Sequence, residues 1–147
     1  VIEFMNTGND VSPQQWKTWR NLALENGMRI VFEYHPSRNW DPDQPDHPIT
    51  AEGILATASP FLDDGAFAVM LDHDLFEPHN NATIDAIASV VDELGLERLV
   101  FEATSPKEGP MIWHKNLMTY FGVFGPDCNV ANIMPSQAMY VESMRIG

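Results

Sequence analysis

Residues 81–102 read NATIDAIASVVDELGLERLVFE, and this stretch decides the fold. Apolar side chains recur at helical spacing from Ile84 to Leu94, and Gly95 follows where a helix is expected to end. A short apolar run from Leu99 then leads into Glu102. The stretch predicts a helix followed at once by a buried strand, which is the repeating element of a parallel α/β fold.

The same alternation extends in both directions from this stretch. Four further apolar runs predict strands at 1–4, 29–33, 67–72 and 129–133. Helices are predicted from Gln14 to Asn26 after the cap Ser12-Pro13, from Thr50 to about Ala58 with Pro60 as a kink or end, and from Gly109 until Gly122 stops it. The buried face of this last helix is expected to hold Met111, Trp113, Leu117, Tyr120 and Phe121.

The acid or amide at the end of each predicted strand advances in regular steps. Glu3, Glu33, Asp72, Glu102 and Asn132 are separated by 30, 39, 30 and 30 residues. A (β/α)₈ barrel of roughly 250 residues advances about 31 residues per unit, and a Pro-rich loop at 36–48 accounts for the longer step. We therefore predict an α/β fold in which residues 1–147 form one domain, a partial TIM-type barrel of about five βα units. An open doubly wound sheet is the alternative.

Composition and charge exclude several functional classes. The 147 residues carry 8 Lys and Arg against 21 Asp and Glu, a formal net charge of −13, which disfavours binding to nucleic acid or to an anionic membrane surface. No apolar run is long enough for a membrane span, and the first residues do not resemble a signal peptide. The single cysteine, Cys128, excludes an internal disulfide and suits a reducing compartment. We expect a soluble protein of the cytoplasm.

Four successive predicted strands end in a carboxylate, at the edge where parallel α/β folds build their sites. The four acids are Glu3, Glu33, Asp72 and Glu102. Like charges gathered at one mouth repel, and a divalent cation or a bound proton offsets them best. Because hard oxygen ligands favour Mg²⁺ or Mn²⁺, we expect a magnesium-assisted site with Glu33, Asp72 and Glu102 as metal ligands. Alternatively, these acids cap the helices that follow and face water.

Histidines suggest a different kind of site. Strand alternation would send His73 to the opposite face from Asp72 and Asp74, so the three do not converge if the strand continues through them. No HExxH spacing occurs. A small zinc-dependent hydrolase that uses His73 or His35 stays open as an alternative.

Several short motifs, taken in order, resemble one family. They are Val1-Ile2-Glu3, Val31-Phe32-Glu33, Leu99 to Ala103 (LVFEA), residues 124–133 (FGPDCNVANI) and residues 142–147 (ESMRIG). In this order and spacing the chain resembles the later part of the phosphosulfolactate synthases, where the corresponding stretches read approximately VEIS, LTEVG, VIFEAP, FGxxVNLANI and ETLRRG. The resemblance covers nearly all of the chain and places it in the C-terminal part of the family's barrel.

The resemblance implies a (β/α)₈ barrel in which Mg²⁺ assists the addition of sulfite to phosphoenolpyruvate on the route to coenzyme M. It implies catalytic roles for Glu3, Glu33, Glu102 and Arg38, and substrate binding by Asn129, Asn132 and Arg145. Asn129 and Asn132 are expected at the end of the last strand, and Arg145 at the phosphate position of such barrels. The family's lysines after its LTEVG strand are replaced here by His35-Pro36-Ser37, which leaves Arg38 as the nearest cation.

A non-catalytic class stays open beside the lyase. The heat-stress-associated relatives of this family in plants would act through protein contacts. Convergence of Arg38, Lys107 and Arg145 on the carboxylates would favour a carbon–sulfur lyase, and exposure of these cations to solvent would favour a binding protein. Because the first and last strands of a five-stranded sheet have open edges, we also expect a homo-oligomer or a complementing partner chain.

Overall fold

A computed structural model of the chain describes residues 1–5, 12–35, 49–76, 81–104 and 109–147. Within these ranges strands and helices alternate along the chain. The strands are β1 (Ile2–Met5), β2 (Ile30–Tyr34), β3 (Ala68–Leu71), β4 (Leu99–Glu102) and β5 (Asn129–Ala131), and the helices are α1 (Pro13–Glu25), α2 (Ala51–Asp63), α3 (Asn81–Leu94), α4 (Pro110–Phe124) and α5 (Ala138–Arg145). Short 3₁₀ helices cover His73–Phe76, Leu96–Arg98 and Pro135–Gln137.

The strands form one parallel sheet whose order follows the chain, β1-β2-β3-β4-β5. The main core lies between one face of this sheet and the helices, where side chains such as Phe32, Leu71 and Phe101 pack with Ile54 and Leu117. A doubly wound sheet would reverse its strand order and carry helices on both faces. The doubly wound alternative is therefore wrong, and the predicted partial TIM barrel is confirmed.

The other face of the sheet carries a small apolar cluster without helices. Val31, Ala68 and Met70 form it, and Val100 and Ala131 pack against it. No helical residue in the described ranges belongs to this cluster. We call this the inner face, because it corresponds to the interior of a closed barrel.

Two helices extend beyond the ends that their sequence predicts. Helix α2 continues through Pro60 to Asp63 because the buried Ala58 and Leu62 hold the turns on both sides of the proline against the core. The Phe61 ring also stacks on Phe32, with ring centroids 4.1 Å apart. Packing therefore outweighs the loss of one helical hydrogen bond at Pro60.

Helix α4 passes Gly122 and ends at Phe124, whose ring stacks on Phe101 with centroids 4.8 Å apart. The chain leaves this helix at Gly125 with φ 90°, a left-handed conformation that favours glycine. At the other end of the helix Met111 is 79% exposed, so its predicted burial is wrong. It lies in the first turn, ahead of the buried Trp113.

Strand ends and one helix also differ from prediction. Strand β1 runs to Met5, so Glu3 lies inside it, and β3 and β5 end earlier than expected, at Leu71 and Ala131. The sequence pattern does not predict helix α5. Val141 is its one buried residue, so the helix lacks the apolar stripe that a helix prediction needs. The loop predicted at 36–48 lies outside the described residues. No described helix combines the length and apolarity that crossing a bilayer requires.

Candidate functional site

Three acids lie on the inner face of the sheet. In the strand register Glu3 pairs with Val31 and Glu33 pairs with Met70, and both apolar partners belong to the inner-face cluster. Glu102 follows two residues after Val100 and takes the same face. Asp72 comes directly after β3 and interacts with both Glu33 and Glu102. The structure thus brings together the four acids Glu3, Glu33, Asp72 and Glu102, which we call the acidic cluster.

Glu33 is the most deeply buried member of the acidic cluster, with 1% of its surface exposed. Burial, a hydrogen bond with Glu3, and the negative charges of Glu102, Glu3 and Asp72 raise the pKa of Glu33 from 4.5 to about 9. The Oε2 atom of Glu33 accepts no hydrogen bond from any described residue. With no cation bound, the Glu33 carboxyl therefore holds a proton at neutral pH.

Glu102 ends β4 and lies beside Asp72. Burial, followed by the charge of Asp72, the hydrogen bond with Asp72 and the charge of Glu3, raises the pKa of Glu102 from 4.5 to about 8. A hydrogen bond from Asn132 opposes this rise, because Nδ2 of Asn132 donates to Oε1 of Glu102 at 2.5 Å. The Tyr120 hydroxyl on α4 donates to the backbone carbonyl of Glu102 at 2.5 Å, so a buried helix residue positions this acid.

The acidic cluster contains two carboxyl–carboxyl contacts, Glu3 with Glu33 and Asp72 with Glu102. Two ionised carboxylates have no proton to donate, so each contact needs a shared proton or a cation. The Oε2 atoms of Glu33 and Glu102 are buried and lack hydrogen-bond partners among the described residues. Oxygen ligands with net negative charge suit a hard divalent cation. Among the described residues, ligand atoms of Asp72, Glu102 and His73 lie within 4.8 Å of one another, whereas Glu33 belongs to no such group. Asp72 and Glu102 therefore fit Mg²⁺, and the predicted role of Glu33 as a metal ligand stays a prediction.

Asp72 also lies between two histidines. The chain turns into a 3₁₀ helix at His73, because Asp74 N donates to Oδ1 of Asp72 at 2.6 Å. His73 Nδ1 therefore lies 3.6 Å from Oδ1 of Asp72, and His73 Nε2 lies 3.3 Å from Oδ1 of Asp74. The strand alternation that would send His73 to the opposite face does not apply, since the strand stops at Leu71.

Asn132 adopts a backbone conformation that the sequence does not reveal. Its φ is 61°, in the left-handed region that asparagine tolerates better than most other residues. This turn directly follows β5 and directs the side-chain amide to Glu102. Asn132 therefore lies at the carboxyl end of the sheet with the acidic cluster, where the resemblance places it.

Asn129 and Arg145 lie at the opposite, amino end of the sheet. Asn129 begins β5, and its Nδ2 donates to the carbonyls of Leu96 and Leu99 at 3.1 and 3.0 Å. Arg145 ends α5, and its Nη1 donates to the carbonyl of Pro126, ahead of β5, at 2.5 Å. Helix α5 thus leads the chain back to the start of the last strand. This corrects the expectation that both residues lie at the carboxyl end, whereas their role in substrate binding stays a prediction.

Basic residues do not neutralise the acidic cluster within the described part of the chain. Arg20 forms an ion pair with Asp64, and Arg145 forms one with Glu142 at 3.1 Å. Among the described residues no Lys or Arg forms an ion pair with a member of the acidic cluster. Arg38 and Lys107, the other cations expected here, lie outside the described residues.

A one-sided parallel sheet with acids gathered where its strands end defines a (β/α)-barrel protein of the TIM type with an acidic mouth. The protein-family model for (2R)-phospho-3-sulfolactate synthase (ComA) matches residues 1–147, and the chain belongs to this family. A comparison with curated proteins finds no significant match. The family resemblance read from the sequence is confirmed, and the family implies a site for a small anionic substrate.

Proposed function

We propose that the acidic cluster is the active site of a phosphosulfolactate synthase, which adds sulfite to phosphoenolpyruvate with the help of Mg²⁺. The observation that carries this proposal is the convergence of four carboxyl groups, three from strands on the inner face and Asp72 from the residue after β3. Membership in the family supports the reaction class. Asp72 and Glu102 would hold the metal ion, and Glu33 either completes this ligand set or supplies a proton.

The product defines where each atom goes. In (2R)-phospho-3-sulfolactate the sulfonate is on the terminal carbon and the phosphate oxygen is on the middle carbon. The sulfur lone pair of sulfite therefore bonds to the methylene carbon of phosphoenolpyruvate, and the double-bond electrons move into the substrate carboxylate. They return to the middle carbon when it takes up one proton. The active site must supply that proton and tolerate the negative charge that forms first.

Glu33 is the residue best suited to donate this proton. Its pKa, about 9 in the metal-free protein, keeps it protonated at neutral pH as long as Glu33 does not itself bind the metal ion, and the hydrogen bond with Glu3 orients its carboxyl group. After transfer, the proton that bisulfite or water releases restores the acid. Bound Mg²⁺ would offset the negative charge that develops on the substrate carboxylate. Asn132 and Tyr120 keep Glu102 in place beside Asp72.

A non-catalytic role is the second candidate, and the position of Arg145 favours it. This arginine, expected to bind the substrate phosphate, instead contacts Pro126 at the amino end of the sheet. A barrel that has lost its phosphate-binding cation would keep its fold and act through protein contacts. Arg38, which lies outside the described residues, remains our predicted cation for the substrate.

Phosphorus NMR distinguishes the two roles. We expect the purified protein with Mg²⁺, phosphoenolpyruvate and sulfite to form phosphosulfolactate, and chelation of the metal to stop the reaction. Glu33→Gln should lower the rate by about 10²–10⁴-fold because it removes a general acid. Glu25→Gln, at the exposed end of α1, is the matched control and should keep full activity. Absence of product, together with no thermal stabilisation by Mg²⁺ and phosphoenolpyruvate, would refute the proposal.

A further inference from the structure

We propose that His35, Asp72 and Asp74 form a second divalent-cation site, with one nitrogen and two oxygen ligands, that prefers Zn²⁺ or Mn²⁺ to Mg²⁺. The site lies next to the acidic cluster and shares Asp72 with it. One ligand atom from each of the three residues lies within 4.8 Å of the other two. The proposal does not depend on the lyase reaction, since it concerns residues that the mechanism above does not use, apart from Asp72.

The interatomic distances within this group match those around a bound transition metal. His35 Nε2 is 3.7 Å from Oδ2 of Asp72 and 3.6 Å from Oδ2 of Asp74. Direct N–H···O hydrogen bonds would be shorter, mostly below about 3.2 Å. Two ligand atoms that each lie about 2.0–2.2 Å from one tetrahedral zinc ion are separated from each other by roughly 3.3–3.6 Å. Both His35–Asp distances are therefore close to the spacing of a shared cation site, and the ligand atoms of Asp72 and Asp74 lie within 4.8 Å of each other.

The fold places these three residues together. Tyr34 and Leu71 are paired in the parallel register of β2 and β3, so the next residues, His35 and Asp72, leave the sheet side by side. The 3₁₀ turn then returns Asp74 toward Asp72, and the buried Leu75 and Phe76 anchor that turn in the core. Two ligands come from neighbouring strand ends and the third from a turn fixed by packing.

His73 lies near the oxygens of the two acids that His35 does not face. Its ring nitrogens lie near Oδ1 of Asp72 and Oδ1 of Asp74, whereas His35 lies near Oδ2 of both. Neighbours of this kind, which orient the carboxylate ligands, are typical of protein metal sites. We therefore assign His73 as a positioning residue of the second site.

The ligand set indicates the class of metal. An imidazole favours borderline metals such as Zn²⁺ over Mg²⁺, which prefers oxygen ligands and retains bound water. The Asp72 side chain is 6% exposed and the Asp74 side chain 44% exposed, so one side of the site is open to solvent. Three protein ligands with an open position are typical of zinc sites that bind an exchangeable water or substrate.

Metal titration of the apoprotein tests this site directly. We expect tight binding of Zn²⁺ by calorimetry and a visible absorption spectrum on addition of Co²⁺. His35→Gln and Asp74→Asn should each weaken Zn²⁺ binding by about tenfold or more. His114→Gln is the matched histidine control and should bind Zn²⁺ like wild type, because His114 contacts Tyr140 on α5 and belongs to neither candidate metal group. Thermal unfolding of each variant verifies that it folds.

The outcomes separate this proposal from simpler explanations and from the lyase. Wild-type affinity in both His35→Gln and Asp74→Asn would show that these residues form only ion pairs, and would overturn the proposal. Loss of Zn²⁺ binding in Glu102→Gln but not in His35→Gln would assign the metal to the alternative group of Asp72, His73 and Glu102, and would also overturn it. Retention of the site in a protein without lyase activity would support it independently.

Discussion

At the scale of single residues, Glu33 illustrates how a functional group can oppose stability. It lies in the middle of a sheet whose neighbouring positions are apolar, with Met70 beside it in the register. Burying a carboxylate there is costly, so in the metal-free protein the side chain keeps its proton and its pKa rises to about 9. The same burial that destabilises the ionised form prepares the group to hold a proton or a cation.

The raised pKa of Glu33 makes the stability of the metal-free protein depend on pH. Below about pH 4.5 both folded and unfolded chains hold this proton, and above about pH 9 neither does. Between these values only the folded chain holds it, so the Glu33 contribution to the free energy of unfolding falls as pH rises. We expect Glu33→Gln to stabilise the metal-free protein by about 1–3 kcal/mol at pH 8 and to have little effect at pH 5.

Urea unfolding at several pH values, with chelator present, measures this difference. Glu25→Gln provides the control, because its exposed carboxylate is expected to leave the pH profile of wild type unchanged. Parallel pH profiles for wild type and Glu33→Gln would contradict the raised pKa.

The position of a side chain can be predicted from sequence where strand alternation determines it. Prediction fails where a local turn determines the position. The acids of the cluster follow from apolar runs that end in a carboxylate, so Glu33 and Glu102 could be found without coordinates. His73 and Asn132 depend on a 3₁₀ turn and on a φ of 61°. These conformations arise from tertiary contacts, namely the burial of Phe76 and the bond from Asn132 to Glu102.

At the scale of elements, the end of β4 is held by α4 through buried polar contacts. Asn116 on α4 is fully buried and its Oδ1 accepts from the Thr104 hydroxyl at 2.7 Å and from the Thr104 backbone N–H at 3.3 Å. Tyr120, one turn further along the helix, donates to the carbonyl of Glu102. A single helix face therefore determines where the last strand-end acid of the cluster lies.

We expect Tyr120→Phe to lower the free energy of unfolding by about 1–2 kcal/mol, because the carbonyl of Glu102 loses a partly buried donor. Tyr140→Phe is the matched control: Tyr140 is 46% exposed and its hydroxyl contacts His114, so its loss should change stability by less than about 0.5 kcal/mol. Urea unfolding of both variants beside wild type measures the effect. Equal stability of the two variants would show that the Tyr120 hydroxyl does not hold the strand end.

Element boundaries illustrate why local sequence signals are incomplete. Pro60 and Gly122 are both residues that disfavour a helix, and both lie inside one. In each case an aromatic residue one or two positions later, Phe61 or Phe124, stacks on a strand side chain of the core. The helices continue because burial of these rings outweighs the local penalty, and such long-range contacts are not visible in the local pattern.

At the scale of the whole molecule, the first strand and helix expose an apolar groove at one edge of the sheet. Strand β1 pairs with β2 and with no other described strand. The groove beside it is lined by Ile2, Phe4, Trp19, Leu22 and Met28, among others. Trp19 is 47% exposed and Leu22 58% exposed, although both are large apolar side chains. Natural proteins cover or pair such sheet edges.

We therefore expect this chain to self-associate through the groove at β1 and α1. Sedimentation velocity at micromolar concentration should show dimers or larger species for the wild type. Introducing charge into the groove with Trp19→Lys and Leu22→Lys should shift the protein toward monomer, because burying two ammonium groups in an apolar contact costs several kcal/mol. Leu24→Lys changes a residue of the same helix that is 52% exposed but does not line the groove, so it should associate like wild type. A well-folded wild-type monomer over the whole concentration range would contradict association through this edge.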